Sequence, residues 1–190
     1  MAAFVERVSG ARLLSYAAGL RTVYVDAFGA PPWSEGPEQA DAYLDRLTAD
    51  VDRHGFTAAL ALDGDTVLGW ATAWTTPHPF PADRNYPRIS AALGERRTTE
   101  WLCGARKVDE LAVAAHARGT GLGARLLDAV TEDQADGRCW LITSVHARAT
   151  VGFYERTGWT QATDPVPGGA GLVPFLGPGH PARISAPRPV

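Results

Sequence analysis

The 190-residue chain is poor in sulfur, with two cysteines, Cys103 and Cys139, and one methionine. Two cysteines without metal-ligand spacing build neither a disulfide framework nor a zinc site, so a reduced, cytoplasmic setting and no metal are the expectation. No apolar run is long enough to span a bilayer. The start, Met1 to Val8, carries charges where a secretory leader needs an apolar stretch. Positive charge is not in excess: 18 Lys and Arg stand against 21 Asp and Glu, for a formal charge of −3. That balance argues against a general nucleic-acid or anionic-membrane binder, and leaves room for a local basic patch. No internal repeat is visible. The hydrophobic fraction of 45% is that of an ordinary globular protein. A single domain over 1–177 and a flexible Pro/Gly/Arg-rich tail over 178–190 are expected.

Apolar spacing orders the elements. Phe4 to Val8 reads as a strand, and Ala11 to Phe28 as a helix with Leu13, Ala17, Leu20, Tyr24 and Phe28 at helical intervals. A second helix begins near Pro37, a favoured first-turn proline, and ends at His54-Gly55. Phe56 to Leu62 and Val67 to Thr75 read as a hairpin around Asp63-Gly64, with Leu68, Trp70 and Trp74 on one face. Thr76 to Glu100, with four prolines, is too long for a simple connection. It reads either as a functional wall of a site or as a disordered excursion, with a short helix within Ile89 to Arg97. Trp101 to Val113 reads as a strand bent around Gly104, followed by a helix over 119–135 and a strand from Cys139 to Val145. A helix at Ala149–Thr157 and strands at Trp159–Thr163 and Leu172–Leu176 close the chain. Pro165, Pro167, Gly168 and Gly169 lie between the last two. The order β-α-α-β-β, long segment, β-α-β-α-β-β is mixed, neither pure βαβ nor segregated.

The connector Ala114-Ala-His-Ala-Arg-Gly-Thr-Gly-Leu-Gly123 holds the strongest signal. Gly119, Gly121 and Gly123, with Thr120 and Leu122 between them, precede an amphipathic helix marked by Leu122, Leu126, Leu127 and Val130. Glycines at a helix start aim free N–H groups outward, and the helix dipole adds positive charge there. Such a turn cradles phosphate, and Arg118 would add a full charge beside it. Three readings compete: a plain turn, a dinucleotide fingerprint and a pyrophosphate loop. Gly119, Gly121 and Ala124 satisfy G-x-G-x-x-G/A, but in the wrong context. The strand does not lead directly into the glycines, the motif lies past mid-chain, and the next strand does not end in an acidic residue.

The third reading, R-x-x-G-x-G in Arg118, Gly121 and Gly123, carries a resemblance. "DELAV…RGTGLGARLL" resembles the acetyl-CoA-binding motif of the GNAT N-acetyltransferase superfamily, and "GFYERTGW", Gly152 to Trp159, is similar to its second motif. The pair covers about residues 108–159, in the family's order. The resemblance implies an α+β, mixed α/β, GNAT-like acyl-CoA N-acyltransferase fold, whose central mixed, splayed sheet is flanked by helices. It implies acetyl-CoA as cosubstrate and an amine acceptor, with a homodimer left open. Leu111, Ala112 and Val113 would offer backbone groups to the pantetheine arm, as an added strand does. Arg118, Gly119, Thr120, Gly121, Leu122 and Gly123 would hold the pyrophosphate. Tyr154 stands where the family places a tyrosine near the thioester sulfur, and a phenol can protonate a thiolate because their pKa values are similar.

Acetyl transfer to an amine needs a neutral amine, donors for the oxyanion and a proton for the leaving thiolate. No covalent enzyme intermediate is required, so a Ser–His–Asp pattern is not expected. Glu110 alternates with Leu111 and Val113, whose side chains should face the core. It is the expected general base, with a surface carboxylate as the plain alternative. Glu100, His78 and His116 are weaker candidates. The family often has Asn seven positions before the tyrosine; here that position is Ala147, between His146 and Arg148, and His146 is one expected substitute. Thr150 stands where a small alanine is usual. The sequence thus points to an acetyl-CoA-dependent N-acetyltransferase; the rival is a catalytically silent acyl-CoA-binding regulatory module.

Overall fold

The computed structural model describes residues 3–165, 168 and 171–185. Pro167 and Gly169 of the expected final turn, and 186–190 of the expected tail, lie outside the described residues. The chain forms two compact units: Met1–Trp74 with Val108–Glu132, and Thr75–Lys107 with Asp133–Val190. The elements are β1 (Phe4–Val8), α1 (Gly10–Leu14), α2 (Ala17–Phe28), α3 (Pro37–Asp50), β2 (Thr57–Asp63), β3 (Thr66–Thr75), α4 (Tyr86–Leu93), α5 (Glu95–Arg97), β4 (Arg106–Val113), α6 (Leu122–Thr131), β5 (Cys139–Ser144), α7 (Arg148–Arg156), β6 (Thr160–Gln161) and β7 (Leu172–Leu176). The seven strands follow the sheet order β1-β2-β3-β4-β5-β7-β6, with parallel and antiparallel neighbours. The fold is mixed α/β, as expected.

In the first unit, β1 and β2 pair antiparallel, and β2 pairs β3 antiparallel with a register shift at Ala61/Leu62. Every residue of β2 from Thr57 to Leu62 is buried, so this strand reads as one apolar run rather than as an alternation. α6 lies against β1 and β2, with Leu122, Leu126, Leu127 and Val130 buried, as its 3.6-residue spacing requires. α2 packs on α3. The expected helix over Ala11–Phe28 is two helices: the Ser15 hydroxyl donates to the Arg12 carbonyl at 2.7 Å and closes α1 before α2 begins.

In the second unit, β5 pairs β7 antiparallel, and β7 pairs the two-residue β6. β5 is also parallel to the start of β4, through Arg106↔Cys139 and Lys107↔Trp140. The expected strand over Trp101–Val113 begins only at Arg106. Trp101 and Leu102 instead end a wide helical turn over Thr98–Leu102, and the chain reverses at Gly104, where φ is +74°. Arg138 fastens this turn by donating to the Glu100 and Cys103 carbonyls at 2.9 and 3.1 Å. The segment after Thr76 is not a bare excursion. α4 buries Tyr86, Ile89 and Leu93. Phe80, Tyr86 and Trp140 form a ring cluster with centroids 5.5–6.3 Å apart, and the Lys107 ammonium stands 5.6 Å from the Tyr86 ring centre. Among the described residues, no helix is long and apolar enough to cross a membrane.

Residues 178–185 are held by His180, which is 3% exposed. Its Nε2 lies 2.9 Å from the Trp101 carbonyl, and its Nδ1 accepts the Ala182 N–H at 3.1 Å. Only the neutral ring protonated on Nε2 satisfies both contacts. Burial holds the ring's pKa below the ordinary 6.5; Arg138 pushes the same way, while the Trp101 carbonyl and Asp136 oppose it. Protons therefore bind the unfolded chain more readily than the folded one between the lowered value and 6.5. The stability advantage of the wild type over His180→Gln should be full above pH 6.5 and should shrink as pH falls below it. Urea unfolding of both proteins between about pH 5 and 8 measures this. A gap that stays constant with pH would count against it.

Candidate functional site

β4 carries Glu110, Leu111, Ala112 and Val113, the strand residues expected at the site. Val108 and Ala112 are buried and Glu110, half-buried, shares their face by strand alternation. Leu111 and Val113, expected to face the core, are instead half-exposed. The core of this unit is taken up by the face bearing Val108 and Ala112.

Glycine sets the position of this strand. A Cβ built on Gly69 of β3 would lie 2.6 Å from the Ala112 carbonyl oxygen and 3.1 Å from Leu126 Cδ1. The Ala114 amide donates to the Leu68 carbonyl at 2.8 Å, so the end of β4 is fixed to β3 beside Gly69. Parallel pairing with β5 involves Arg106 and Lys107; Val108–Val113 lie beyond those pairs.

The turn into α6 follows. Gly119 and Gly121 have φ of +76° and +84°, and Gly121 is the N-terminal cap of α6. These left-handed conformations strain any residue with a Cβ. A Cβ built on either would meet no protein atom within 4 Å. Space is therefore open in front of the backbone, which side-chain bulk would fill. The expected helix over 119–135 spans only Leu122–Thr131 because the two glycines are not helical and Arg125 makes the first bond, to Gly121 at 3.2 Å. The amides of Leu122, Gly123 and Ala124 precede that bond and have no helical acceptor. They form the positive end of the helix dipole. The Thr120 hydroxyl donates to the Ala117 carbonyl at 2.6 Å. This backbone arrangement fits a pyrophosphate.

Arg118 is exposed, and two of its three nitrogens, Nε and Nη2, meet backbone carbonyls. Nε donates to the Val113 carbonyl at 3.2 Å, and Nη2 lies 3.5 and 3.4 Å from the Asp26 and Ala27 carbonyls. The Asp26 carboxylate accepts the Ala115 amide at 2.5 Å.

An aromatic group surrounds the Glu110 side of the unit. Trp33, Phe28, Tyr24, Tyr43 and Trp70 form a continuous series with centroids 4.7–6.2 Å apart. The Tyr24 hydroxyl donates to Glu35, and the buried Trp70 indole N–H donates to the Tyr43 hydroxyl at 2.8 Å. Burial raises the pKa of both tyrosines; Glu35 adds to the effect at Tyr24, and Glu110 adds at both. Both phenols therefore stay neutral, and negative potential from Glu110 reaches them.

In the second unit, Tyr154 is buried in α7 against Phe153, Trp159 and Phe175, with centroids 5.2–6.0 Å away. His146 is exposed, its amide donating to Ser144 Oγ at 3.2 Å, and Ala147 behind it is buried. Cys103 and Cys139 are buried thiols outside any disulfide, and burial pushes the Cys139 thiol up to about 12.

The family model of the acetyltransferase (GNAT) family matches residues 18–159. The chain belongs to that family. Solved structures share the GNAT fold. A protein of Desulfovibrio desulfuricans assigned to the GNAT acetyltransferases is 23% identical, with 92% of this chain and 96% of that chain covered and a TM-score of 0.60. A ribosomal-protein-alanine N-acetyltransferase of Brucella melitensis is 16% identical over 91% and 98%, with a TM-score of 0.55. A PaiA N-acetyltransferase of Thermoplasma acidophilum, solved with coenzyme A, is 12% identical over 93% and 99%, with a TM-score of 0.58. A search of curated proteins finds no match.

Sequence reading missed Asp26, Glu35 and the Tyr43–Trp70 bond. Helical spacing marks Tyr24 and Phe28 as inward, but nothing in it pairs Asp26 with an amide 89 positions away. Since a Cβ on Gly69 would collide with backbone, Gly69→Ala should force β3 and β4 apart. The expected cost is about 1–3 kcal/mol, the usual range for overpacking, read from urea unfolding. An unchanged midpoint would show that the strands yield freely.

Proposed function

We propose that this GNAT protein is an acetyl-CoA-dependent N-acetyltransferase that passes the acetyl group directly to an amine. One observation carries the reading. The β4–α6 turn presents two left-handed glycines with open space before them at a helix N-terminus. That is a receptor for a diphosphate built from backbone alone. Gly119, Thr120, Gly121, Leu122 and Gly123 would hold the pyrophosphate, with Arg118 supporting the turn. Leu111, Ala112 and Val113 would pair their backbone with the pantetheine amides, and His146 would add a contact where the family often has Asn.

Acetyl-CoA supplies an acetyl group activated as a thioester. The remaining chemistry falls to side chains of this chain. Glu110 takes the proton that the amine must lose as its nitrogen bonds the acetyl carbon. Tyr154 gives a proton to the sulfur as the carbon–sulfur bond breaks. Two buried cysteines outside any disulfide suit the reducing cytoplasm in which we place the reaction.

Two variants test this reading. Gly121→Val places a branched side chain in the space meant for the diphosphate and should severely weaken acetyl-CoA binding in calorimetry, with a folded protein by circular dichroism. Unchanged affinity would refute the cradle. Tyr154→Phe keeps the ring packed on Trp159 and Phe175 and removes only the hydroxyl. Turnover should fall by roughly 10²-fold or more, while acetyl-CoA affinity barely moves. A wild-type rate would remove Tyr154 from the chemistry. Tight acetyl-CoA binding without turnover across an amine panel would favour a silent acyl-CoA-binding module.

A further inference from the structure

We propose that Asp26 is a positioning residue for the cofactor turn, and that it acts with Arg118 as one latch between the end of α2 and the end of β4. The proposal rests on the reading of the β4–α6 turn as the pyrophosphate site. Its basis is the hydrogen bonding on both sides of Ala114.

The chain leaves β4 at Val113 and must reach Gly119 with a fixed aim. The Ala114 amide is tied to Leu68 of β3 at 2.8 Å. The next amide, Ala115, opens a short 3₁₀ turn over Ala115–Ala117 and has no acceptor within that turn. Asp26 supplies one, at 2.5 Å. A carboxylate accepting a backbone N–H at a helical start is a charge-assisted bond and caps the turn's positive end.

Arg118 closes the same turn from its other end. Its guanidinium faces the carbonyl of Val113 and the carbonyls of Asp26 and Ala27 in the last turn of α2. Those last carbonyls have no helical donor of their own, and a cation there is favoured by the helix dipole. Asp26 thus contacts both ends of the turn, by its side chain to Ala115 and by its backbone to Arg118. With Nε and Nη2 so disposed, Arg118 shapes the diphosphate site through the turn. α2 also carries Tyr24 and Phe28, so the latch joins the cofactor turn to the helix that bears the Tyr24–Glu35 contact.

The test is calorimetric titration of the full chain with acetyl-CoA, beside hydrogen exchange of the unliganded protein. Asp26→Ala should weaken acetyl-CoA binding on the order of tenfold, the equivalent of one charge-assisted hydrogen bond. Exchange should quicken at 114–121 and stay unchanged in β1, β2 and α6. Asp26→Asn, which keeps an acceptor oxygen, should restore most of the affinity. Ala115→Pro removes the donor instead of the acceptor. Proline suits the backbone there, because Ala115 is the first residue of its turn and Ala114 is extended, with ψ of 140°, and its ring turns the Asp26 carboxylate aside. It should match Asp26→Ala, and the double variant should lose no more than either alone. This arm decides the matter if Asp26→Ala fails to fold.

Arg118→Met should likewise be non-additive with Asp26→Ala. Additive losses would mean that Arg118 touches the ligand independently, and would overturn the latch. So would wild-type affinity in both Asp26→Ala and Ala115→Pro while Gly121→Val abolishes binding; the cradle reading would then survive alone. Wild-type affinity in Gly121→Val as well would overturn the cradle and the latch together.

Discussion

The turn from β4 to α6 depends on backbone amides that are held in place without helical partners. Gly119 and Gly121 take left-handed conformations that direct the chain into α6, and the first helical bond waits until Arg125. Three amides are thereby left facing outward at the positive end of a helix dipole. Such a turn is conformationally expensive, since glycine has more freedom to lose than any other residue. Contacts upstream offset that cost. Ala114 is tied to β3, Ala115 to Asp26, and Arg118 to three carbonyls. Downstream, four buried apolar residues of α6 seat the helix on β1 and β2. Rigid support on both sides lets a flexible residue type form a defined turn.

The same unit sets up a contrast of charge and ring surface. Glu110 projects from a strand whose neighbours on that face are buried, and its potential reaches two tyrosines that burial already keeps neutral. The Trp70–Tyr43 bond satisfies a buried indole N–H whose loss would cost about 1–3 kcal/mol. Ring packing therefore fixes α2 and α3 on β3 in the region where Glu110 emerges. In the second unit, Tyr154 is held by a comparable shell of Phe153, Trp159 and Phe175. A phenol so packed has little rotamer freedom, which suits the proton-donor role we propose for it.

Much of this was legible in the residues. Period-2 and period-3.6 patterns located β1, the start of α3, the β2–β3 hairpin, α7 and β7 to within a residue or two. The glycine spacing at 119–123 announced the turn before α6. The failures have physical causes. Trp101 and Leu102 are apolar and precede a strand, so they read as part of it; the reversal at Gly104 is fixed by Arg138, far along the chain. Leu111 and Val113 read as core because they are apolar, yet β4 buries the other face, with Val108 and Ala112. The Arg118 contacts with the Asp26 and Ala27 carbonyls come from α2, which periodicity cannot see. His180 lay in a stretch that composition marked as frayed, and this single buried imidazole with two satisfied nitrogens ties its described part to Trp101 and Ala182. Local pattern shows which residues are buried. It does not show which distant groups they meet.

The central claim is that amides at the start of α6 receive the diphosphate of acetyl-CoA. Its most direct test is amide chemical-shift mapping by NMR, with acetyl-CoA and acetyl-pantetheine titrated separately. Acetyl-CoA should shift the amides of Gly119–Ala124 saturably, and acetyl-pantetheine, which lacks the diphosphate, should leave them in place. Saturable binding of acetyl-CoA that moves other amides and leaves Gly119–Ala124 unmoved would contradict the account.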